Sequence, residues 1–319
     1  MRATRQPFRG VFADRLSAYL ELRRAMGFHF ETEAFLLKAF DKYVNQRGYQ
    51  GPLTQELALA FATENPHSSI NYRVSRYKVV RHFSEYLATF NPQTPVLDPK
   101  ALRYSRTRTP AYIFTDKELI RLLDEAKKLL PPVRGITIHA MVGLAASTGL
   151  RISEVIKLDK ADVELDTGIM TIRKSKFNKS RLVSIHPTTL GVMRNCAAVR
   201  DTTYPDCSSP AFFVNRRRRK FSRNTLQVIF CKLAQKAGLR GPRGRGPSFH
   251  SIRHTFAVKR LVSWYKNGMD VQAMLPALAT YLGHVHYSDT AYYLKATPEL
   301  LNLAAERYHG WALSRKVRP

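Results

Sequence analysis

A break in the apolar pattern divides this chain and limits what it can fold into. Residues 91–99 carry three prolines, and residues 102–110 show no helical or strand period. Proline lacks a backbone donor and disfavours helix in the residue before it, so one helix cannot run through this stretch. The second part is also basic, with Arg103, Arg106 and Arg108. We therefore expect three parts, namely a domain over residues 1–105, a basic linker over 106–112 and a domain over 113–319.

The part before the break shows the spacing of helices. Leu16, Tyr19 and Leu20 repeat at intervals of three and four residues, and residues 36–44 and 79–87 repeat the pattern. Such spacing places apolar side chains on one face of a helix. The pattern predicts about four helices, a number typical of a small helical bundle.

The part after the break mixes helices with short strands. Thr115 and Glu118 form a capping-box pattern at the start of a helix over residues 116–130. A second helix is predicted over 136–149, and further helices from about residue 189. Three strands are predicted over 163–165, 169–172 and 182–185, with a turn at 166–168. The fold class expected is α+β, mostly α, with a small antiparallel sheet.

The charge balance points to a polyanionic partner. The chain has 52 Lys and Arg against 24 Asp and Glu, a difference of +28. The excess is present in both parts, so it is not a basic tail on a neutral enzyme, and it suits phosphate contacts, which release counterions. Two further basic segments could be solvated loops, but we favour phosphate contact for them: Arg216, Arg217, Arg218, Arg219 and Lys220 in the first, and Arg243 and Arg245 in the second.

Cysteine content and hydropathy narrow the class of protein further. The three cysteines form an odd set without Cys-x-x-Cys spacing, so neither a disulfide framework nor a zinc site is expected. The longest nearly apolar stretch, residues 136–146, is too short for the ~20 residues of a membrane span. We expect a cytoplasmic, nucleoid-associated protein without membrane contact.

Four short motifs follow one another in the second part. Each is weak alone, because single arginines, histidines and tyrosines usually serve packing or solvation. The order and the spacing are far more specific, and the last two residues are nine positions apart (293 − 284 = 9). The motif residues are Arg151 in Thr-Gly-Leu-Arg-Ile-Ser-Glu, Lys176 between residues 174 and 179, His250 and Arg253 in His-x-x-Arg, and Leu-Gly-His284 followed by Tyr293.

With these residues the chain closely resembles the tyrosine recombinase (phage integrase) family, whose signature is Arg…Lys…His-x-x-Arg…His/Trp…Tyr. The resemblance implies a helical, SAM-like core-binding domain before the linker and a mixed α/β catalytic domain after it. It also implies that the partner is double-stranded DNA, gripped from opposite faces, and that a homotetramer works on paired sites, with or without a partner recombinase. No metal or other cofactor is expected.

The resemblance gives each motif residue a task in breaking a DNA phosphodiester. Transfer to a tyrosine adds charge to the non-bridging oxygens of phosphorus, and planar guanidiniums suit those oxygens. By resemblance Tyr293 is the nucleophile and forms a 3′-phosphotyrosine. The remaining tasks fall to Arg151 and Arg253 on the oxygens, His284 as a further donor, His250 as proton acceptor, Lys176 as acid for the leaving 5′-oxygen, and Glu154 as an orienting group.

Several alternatives stay open at this level. Tyr292 adjoins Tyr293, but the spacing favours Tyr293, and the count of residues before Arg181 favours Lys176 over its neighbours Lys174 and Lys179. His254 and His286 are interpreted as structural. A helix over residues 224–238 could read bases through Lys232 and Lys236, or simply pack in the core.

The function expected is site-specific recombination that integrates, excises or transposes a mobile element. Two rivals use related residues. A type IB topoisomerase would relax DNA without pairing sites, and a catalytically silent accessory protein would bind DNA only. Intact motif positions disfavour the second rival.

Overall fold

The computed structural model describes residues 8–105, 110–173, 180–240, 246–295 and 297–316. The chain forms two compact units, Met1–Thr109 and Pro110–Pro319. Residues 106–109 of the predicted linker, with Arg106 and Arg108, lie outside the described ranges. Among the helices that are described, none has the length and apolar character needed to cross a membrane.

The first unit is helical, as its apolar spacing predicted. Its core consists of apolar side chains from every helix, with aromatic rings in contact, such as Phe40 with Phe61 at 5.2 Å. The side chains of Thr54 and Ser69 accept backbone hydrogen bonds at the starts of the third and fourth helices, where N–H groups otherwise lack partners. The helices are α1 (Ala13–Ala25), α2 (Glu31–Gln46), α3 (Gln55–Thr63) and α4 (Ile70–Ala88).

The second unit is built mainly of helices around a buried central one. Thr115 and Glu118 form the predicted capping box at the start of the first. The helices are α5 (Asp116–Lys127), α6 (Pro132–Thr148), α7 (Ile152–Lys157), α8 (Pro187–Thr203), α9 (Arg223–Lys236), α10 (Phe249–Lys266), α11 (Val271–Leu282), α12 (Tyr287–Ala291) and α13 (Pro298–Lys316).

The sheet is small and antiparallel, which confirms the predicted fold class. Its strands β1 (Val163–Glu164), β2 (Ile169–Ile172) and β3 (Arg181–Ser184) pair in the order β1-β2-β3. Gly168 supplies the positive φ of +71° that the turn between β1 and β2 needs. Residues 174–179, which join β2 to β3, lie outside the described ranges.

One helix of the second unit begins earlier than the sequence predicted. Helix α6 begins at Pro132, four positions before the predicted start, because proline is favoured in the first turn, where its missing N–H costs nothing. Its side chains Ile138, Met141 and Leu144 are fully buried among neighbouring helices. A second apolar cluster joins α10 and α11 and includes Tyr293 and Leu300.

Candidate active site

The end of helix α6 positions Arg151. Gly149 adopts the left-handed conformation there, with a φ of +64°, and a Cβ at this position would lie 2.6 Å from the ring of Phe256. Glycine alone satisfies both conditions at low cost. The chain turns sharply as a result, and Arg151 directly precedes α7.

The carboxylate of Glu154 ties two arginines together. It is buried, and its Oε1 accepts a hydrogen bond from Arg151 Nη1 at 3.0 Å. Arg181 of β3 donates to both carboxylate oxygens, at 3.0 and 3.1 Å. Burial favours the protonated acid, but the hydrogen bonds and charge of Arg181, followed by those of Arg151, hold the pKa of Glu154 below its ordinary value. The carboxylate therefore stays charged and orients both guanidiniums.

Arg253 is held by the ends of two helices. It is 1% exposed, and its Nη1 and Nη2 donate to the carbonyls of Gly149 at 2.9 Å and Leu282 at 2.6 Å. Carbonyls at a helix C-terminus lack partners within the helix and carry partial negative charge, so they suit a guanidinium. Burial, aided by the charge of Arg151, lowers the pKa of Arg253 to about 10, which leaves it charged at neutral pH.

The turn after α11 brings a second glycine and a histidine to these arginines. Gly283 has a φ of +65°, and its carbonyl accepts from Arg151 Nη2 at 2.8 Å. His284 Nδ1 lies 2.7 Å from the hydroxyl of Thr290, which is fully buried. Burial first, and then the charges of the two arginines, lower the pKa of His284 to about 4, so its ring is neutral at pH 7.

Tyr293 lies on a 3₁₀ turn over Tyr292–Lys295 and is only 2% exposed. Its ring stacks on that of His284, with centroids 6.2 Å apart. Burial raises the pKa of the Tyr293 hydroxyl, against the charges of Arg253 and Arg151, which lower it. The phenol is therefore protonated at neutral pH beside two fixed cations.

Two histidines from one face of α10 complete the group. The rings of His250 and His254 are 4.5 Å apart, and Nδ1 of His254 lies 3.2 Å from the Tyr293 hydroxyl. His250 is exposed at the surface, yet the protein atoms around its ring, followed by the charges of His254 and Arg253, lower its pKa to about 4. The pKa of His254 is lowered as well, first by burial and then by the charge of Arg253.

The structure thus brings together Arg151, Glu154, His250, Arg253, His284 and Tyr293, all singled out from the sequence. Lys176, with Lys174 and Lys179, lies outside the described residues. Tyr292 packs against the apolar cluster of α10 and α11, with its ring 5.8 Å from that of Tyr293. Within the described residues no group of three or more metal-ligating side chains occurs.

Sequence reasoning missed two members of this site. His254 was interpreted as structural, although its spacing of four from His250 places both on one helical face, a signal that was available. The sequence analysis used Arg181 only as the reference position from which Lys176 was selected. Its ion pair with Glu154 joins a strand to a helix 27 positions earlier in the chain, and no local pattern indicates such a contact.

The candidate DNA-contacting residues are placed at the surface wherever they are described. Lys220 differs from the rest, because it is half-buried and its Nζ lies 2.7 Å from Asp159. Asn215 shapes the loop before it by accepting from the backbone of Arg217 at 2.8 Å. Arg243 and Arg245 lie outside the described residues. The exposed members are Arg103, Arg216, Arg217, Arg218, Arg219, Lys232 and Lys236.

Helix α9 packs in the core on one face and exposes a basic face on another. Leu226, Ile229 and Leu233 are buried in the core, whereas Lys232 and Lys236 are exposed on another face.

The sequence is similar to a known protein family and to individual recombinases. The sequence profile of the phage integrase family matches residues 113–299. A Sinorhizobium fredii protein named integrase/recombinase y4rE is 40% identical over 302 residues, which cover 94% of this chain and 96% of that protein.

Solved structures share the fold at low identity. The XerH site-specific recombinase bound to palindromic difH substrate aligns with a TM-score of 0.66 and 18% identity, over 87% of this chain and 79% of that one. The Tn1549 transposon integrase in complex with transposon right end DNA aligns with a TM-score of 0.64 and 14% identity, over 92% and 98% of the two chains.

The profile match spans more than half of the chain, and the similarity to the Sinorhizobium protein spans nearly all of it. The chain therefore belongs to the phage integrase family, the tyrosine recombinases. It is a site-specific recombinase.

Proposed function

We propose that this recombinase cleaves and rejoins double-stranded DNA through a covalent 3′-phosphotyrosine on Tyr293. The observation that carries the proposal is a buried phenol beside two fixed guanidiniums and three histidines with lowered pKa values. A tyrosine placed for packing alone needs no such surroundings. Fixed donors of this kind stabilise charge that develops on phosphate oxygens.

In this proposal the arginines bind the non-bridging oxygens of the scissile phosphate. Arg151 and Arg253 are oriented in advance, because they already donate to fixed carbonyls and, for Arg151, to Glu154. A guanidinium has five N–H donors, and those not used in these contacts donate to the phosphate. His284 donates a further hydrogen bond from its second ring nitrogen, since its Nδ1 is engaged by Thr290. Glu154 acts only by positioning Arg151.

Two proton transfers complete the reaction. The phenol must lose its proton as it attacks, and a neutral histidine of α10 accepts it, a task that the resemblance gives to His250. The leaving 5′-oxygen must gain a proton, and by resemblance Lys176 supplies it. The tyrosyl phosphodiester keeps the energy of the broken bond, so religation requires no nucleotide cofactor.

We further propose that basic side chains outside this site hold the duplex. Arg216, Arg217, Arg218 and Arg219 are exposed on one loop, and the exposed face of α9 presents Lys232 and Lys236. Exposed arginines and lysines suit phosphates, and a helix can enter the major groove. We include six further basic residues among those that hold the duplex: Arg103, Arg106, Arg108, Lys220, Arg243 and Arg245.

The biological role we propose is movement of a mobile element by a homotetramer. The Sinorhizobium relative bears the name integrase, and the transposon integrase shares the fold. The palindromic substrate of XerH presents two equivalent half-sites. If this chain also uses paired half-sites, two such sites require four protomers.

Covalent capture tests the chemistry and recovers the target sequence in one experiment. Wild type, Tyr293→Phe and Tyr292→Phe are expressed in cells that carry the surrounding genomic DNA, and DNA bound after denaturation is sequenced. We expect adducts with wild type and Tyr292→Phe, enriched at one sequence beside a mobile element, and none with Tyr293→Phe. Adducts lost only in Tyr292→Phe would refute the assignment of the nucleophile.

Two other outcomes favour the rivals. Adducts spread without sequence preference, with relaxation of supercoiled plasmid, would favour a topoisomerase. DNA binding with no adduct in any variant would favour an accessory protein.

A further inference from the structure

The histidine that contacts the nucleophile is not the one that the sequence motif selects. Nδ1 of His254 lies 3.2 Å from the Tyr293 hydroxyl, and the two rings meet edge to face at 5.5 Å. His284 stacks on the Tyr293 ring but uses its Nδ1 on Thr290. Within the described residues, His254 is the histidine whose nitrogen is hydrogen-bonded to this hydroxyl.

The surroundings of His254 keep its ring neutral. The ring is half-buried, and burial followed by the charge of Arg253 lowers its pKa below the ordinary value. A neutral imidazole can accept at Nδ1 only when the proton is on Nε2. Titratable and charged groups from several elements face this part of the site. They are His250 and Arg253 on α10, Arg151 before α7, His284 after α11, and Tyr292 and Tyr293 on the 3₁₀ turn. The charge of Arg223 on α9 helps to lower the pKa of His250.

We infer that His254 accepts the proton of Tyr293 as its oxygen attacks the DNA phosphorus, an inference that rests on the proposed function. The O–H bond of Tyr293 breaks and an N–H bond forms at Nδ1 of His254. The freed electron pair of the phenolate oxygen forms the new O–P bond. The bond from phosphorus to the 5′-oxygen breaks, and that oxygen takes a proton from the proposed acid Lys176.

Ligation runs the same steps backwards. The 5′-hydroxyl returns its proton to the proposed acid Lys176 and attacks phosphorus, and the departing tyrosine oxygen takes its proton back from His254. In this inference His250 positions His254, since their rings are 4.5 Å apart. The exposed side of the His250 ring remains available to contact the phosphate.

The position of the proton on His254 can be measured in the free protein. Nitrogen-15 spectra of histidine-labelled protein distinguish the two neutral tautomers, and Tyr293→Phe removes the hydroxyl. We expect His254 to carry its proton on Nε2 at pH 7, with an Nδ1 resonance that shifts in Tyr293→Phe. A proton on Nδ1 would make His254 the donor in this hydrogen bond and would overturn the inference.

Rates of cleavage test the transfer itself, with a suicide substrate built from the site that covalent capture recovers. In His254→Asn the side-chain oxygen can occupy the position of Nδ1 and hold the phenol, but it cannot take a proton. We expect single-turnover cleavage to fall about 100-fold or more, the usual range for loss of an acid–base group. The wild-type rate should decline as the pH falls through the pKa of His254, which lies below its ordinary value, and we expect this decline to disappear in the variant.

His250→Asn is the matched variant on the same helical face. The inference is wrong if His254→Asn keeps the wild-type rate and pH profile while His250→Asn loses both. Should His254→Asn fail to fold, the tautomer measurement on the wild-type protein carries the test, because a proton on Nδ1 overturns the inference. Failure of the proposed function has a different signature, since wild type would then form no adduct, whereas the tautomer measurement would still report on His254.

Discussion

The two sides of the active site are built on different principles. The guanidiniums of Arg151 and Arg253 are fixed by a buried carboxylate and by carbonyls at the ends of two helices. Tyr293 lies on a four-residue 3₁₀ turn, and its hydroxyl is hydrogen-bonded to His254. Groups that stabilise transition-state charge must be rigid beforehand, whereas a nucleophile needs orientation and a proton acceptor.

This difference has an energetic consequence. On the arginine side the groups proposed to bind phosphate also satisfy buried carbonyls, so activity and stability should fall together. On the tyrosine side the hydroxyl contributes little to the core, so activity should fall almost alone.

The largest combined effect, on cleavage and stability together, should follow Arg253→Lys. A lysine ammonium cannot donate to the carbonyls of both Gly149 and Leu282 in the geometry of a planar fork. We expect single-turnover cleavage to fall ~10²–10³-fold, as when a preorganised donor is removed. An unsatisfied buried carbonyl should lower the free energy of unfolding by about 1–3 kcal/mol, measured with urea.

Tyr293→Phe and Arg260→Lys are the controls. The first should abolish cleavage yet cost about 1 kcal/mol or less in stability, the value of one ordinary hydrogen bond. Arg260 is exposed on the same helix as Arg253, so its substitution should change neither quantity. The proposed difference between the two sides fails if Tyr293→Phe destabilises as much as Arg253→Lys.

Glu154→Gln should have the next largest effect, because it leaves two arginines facing a neutral amide. We expect a loss of about 3 kcal/mol at pH 7, typical of breaking a buried ion pair. The folded-state pKa of Glu154 is lower than its ordinary value of 4.5, so the folded protein binds fewer protons than the unfolded chain near that pH. The carboxylate therefore stabilises the fold above about pH 4.5, and this contribution is lost as the pH falls through the folded-state pKa.

Urea unfolding at several pH values checks this sign. The difference between wild type and Glu154→Gln should be full at pH 7 and should shrink as the pH falls below 4.5. Glu299→Gln is the matched control, since Glu299 pairs with Lys266 where both side chains are more than half exposed. A difference that grows toward low pH would contradict the proposed charge state of Glu154.

The sequence predicted the fold class and most of the site, because both depend on local patterns. Helical spacing, the capping box at Thr115 and the turn at Gly168 each act within a few residues. The signature residues lie in short motifs whose order is itself informative. The motifs and the family resemblance they carry were therefore sufficient to select Arg151, Arg253 and Tyr293 for the candidate site.

What the sequence did not predict depends on long-range contact. Arg181 joins the site because its guanidinium reaches Glu154 of α7, and it also reaches the carbonyl of Tyr281 at 2.7 Å, 100 positions away. His254 meets Tyr293 across 39 positions. The spacing of His254 from His250 placed both on one helical face, but the contact of each residue with its distant partner could not be predicted from spacing alone.

The smallest effects compare two glycines, one at the arginine side and one on a distant helix. Gly149→Ala puts a Cβ at a φ of +64° and 2.6 Å from the ring of Phe256, so we expect a loss of about 1–3 kcal/mol in the free energy of unfolding. Gly191 is exposed within α8, and a Cβ there would meet nothing within 4 Å. Gly191→Ala should therefore stabilise the protein by about 0.5–1 kcal/mol through helix propensity.

Cleavage measured on the same two variants decides what Gly149 does for the site. Its carbonyl accepts from Arg253, so strain at this position should displace the guanidinium and slow cleavage as well as weaken the fold. Gly191→Ala should cleave at the wild-type rate despite its changed stability. If Gly149→Ala were destabilised yet cleaved normally, the carbonyl would be a packing contact only, and the coupling of stability to activity on the arginine side would rest on Leu282 and Glu154 alone.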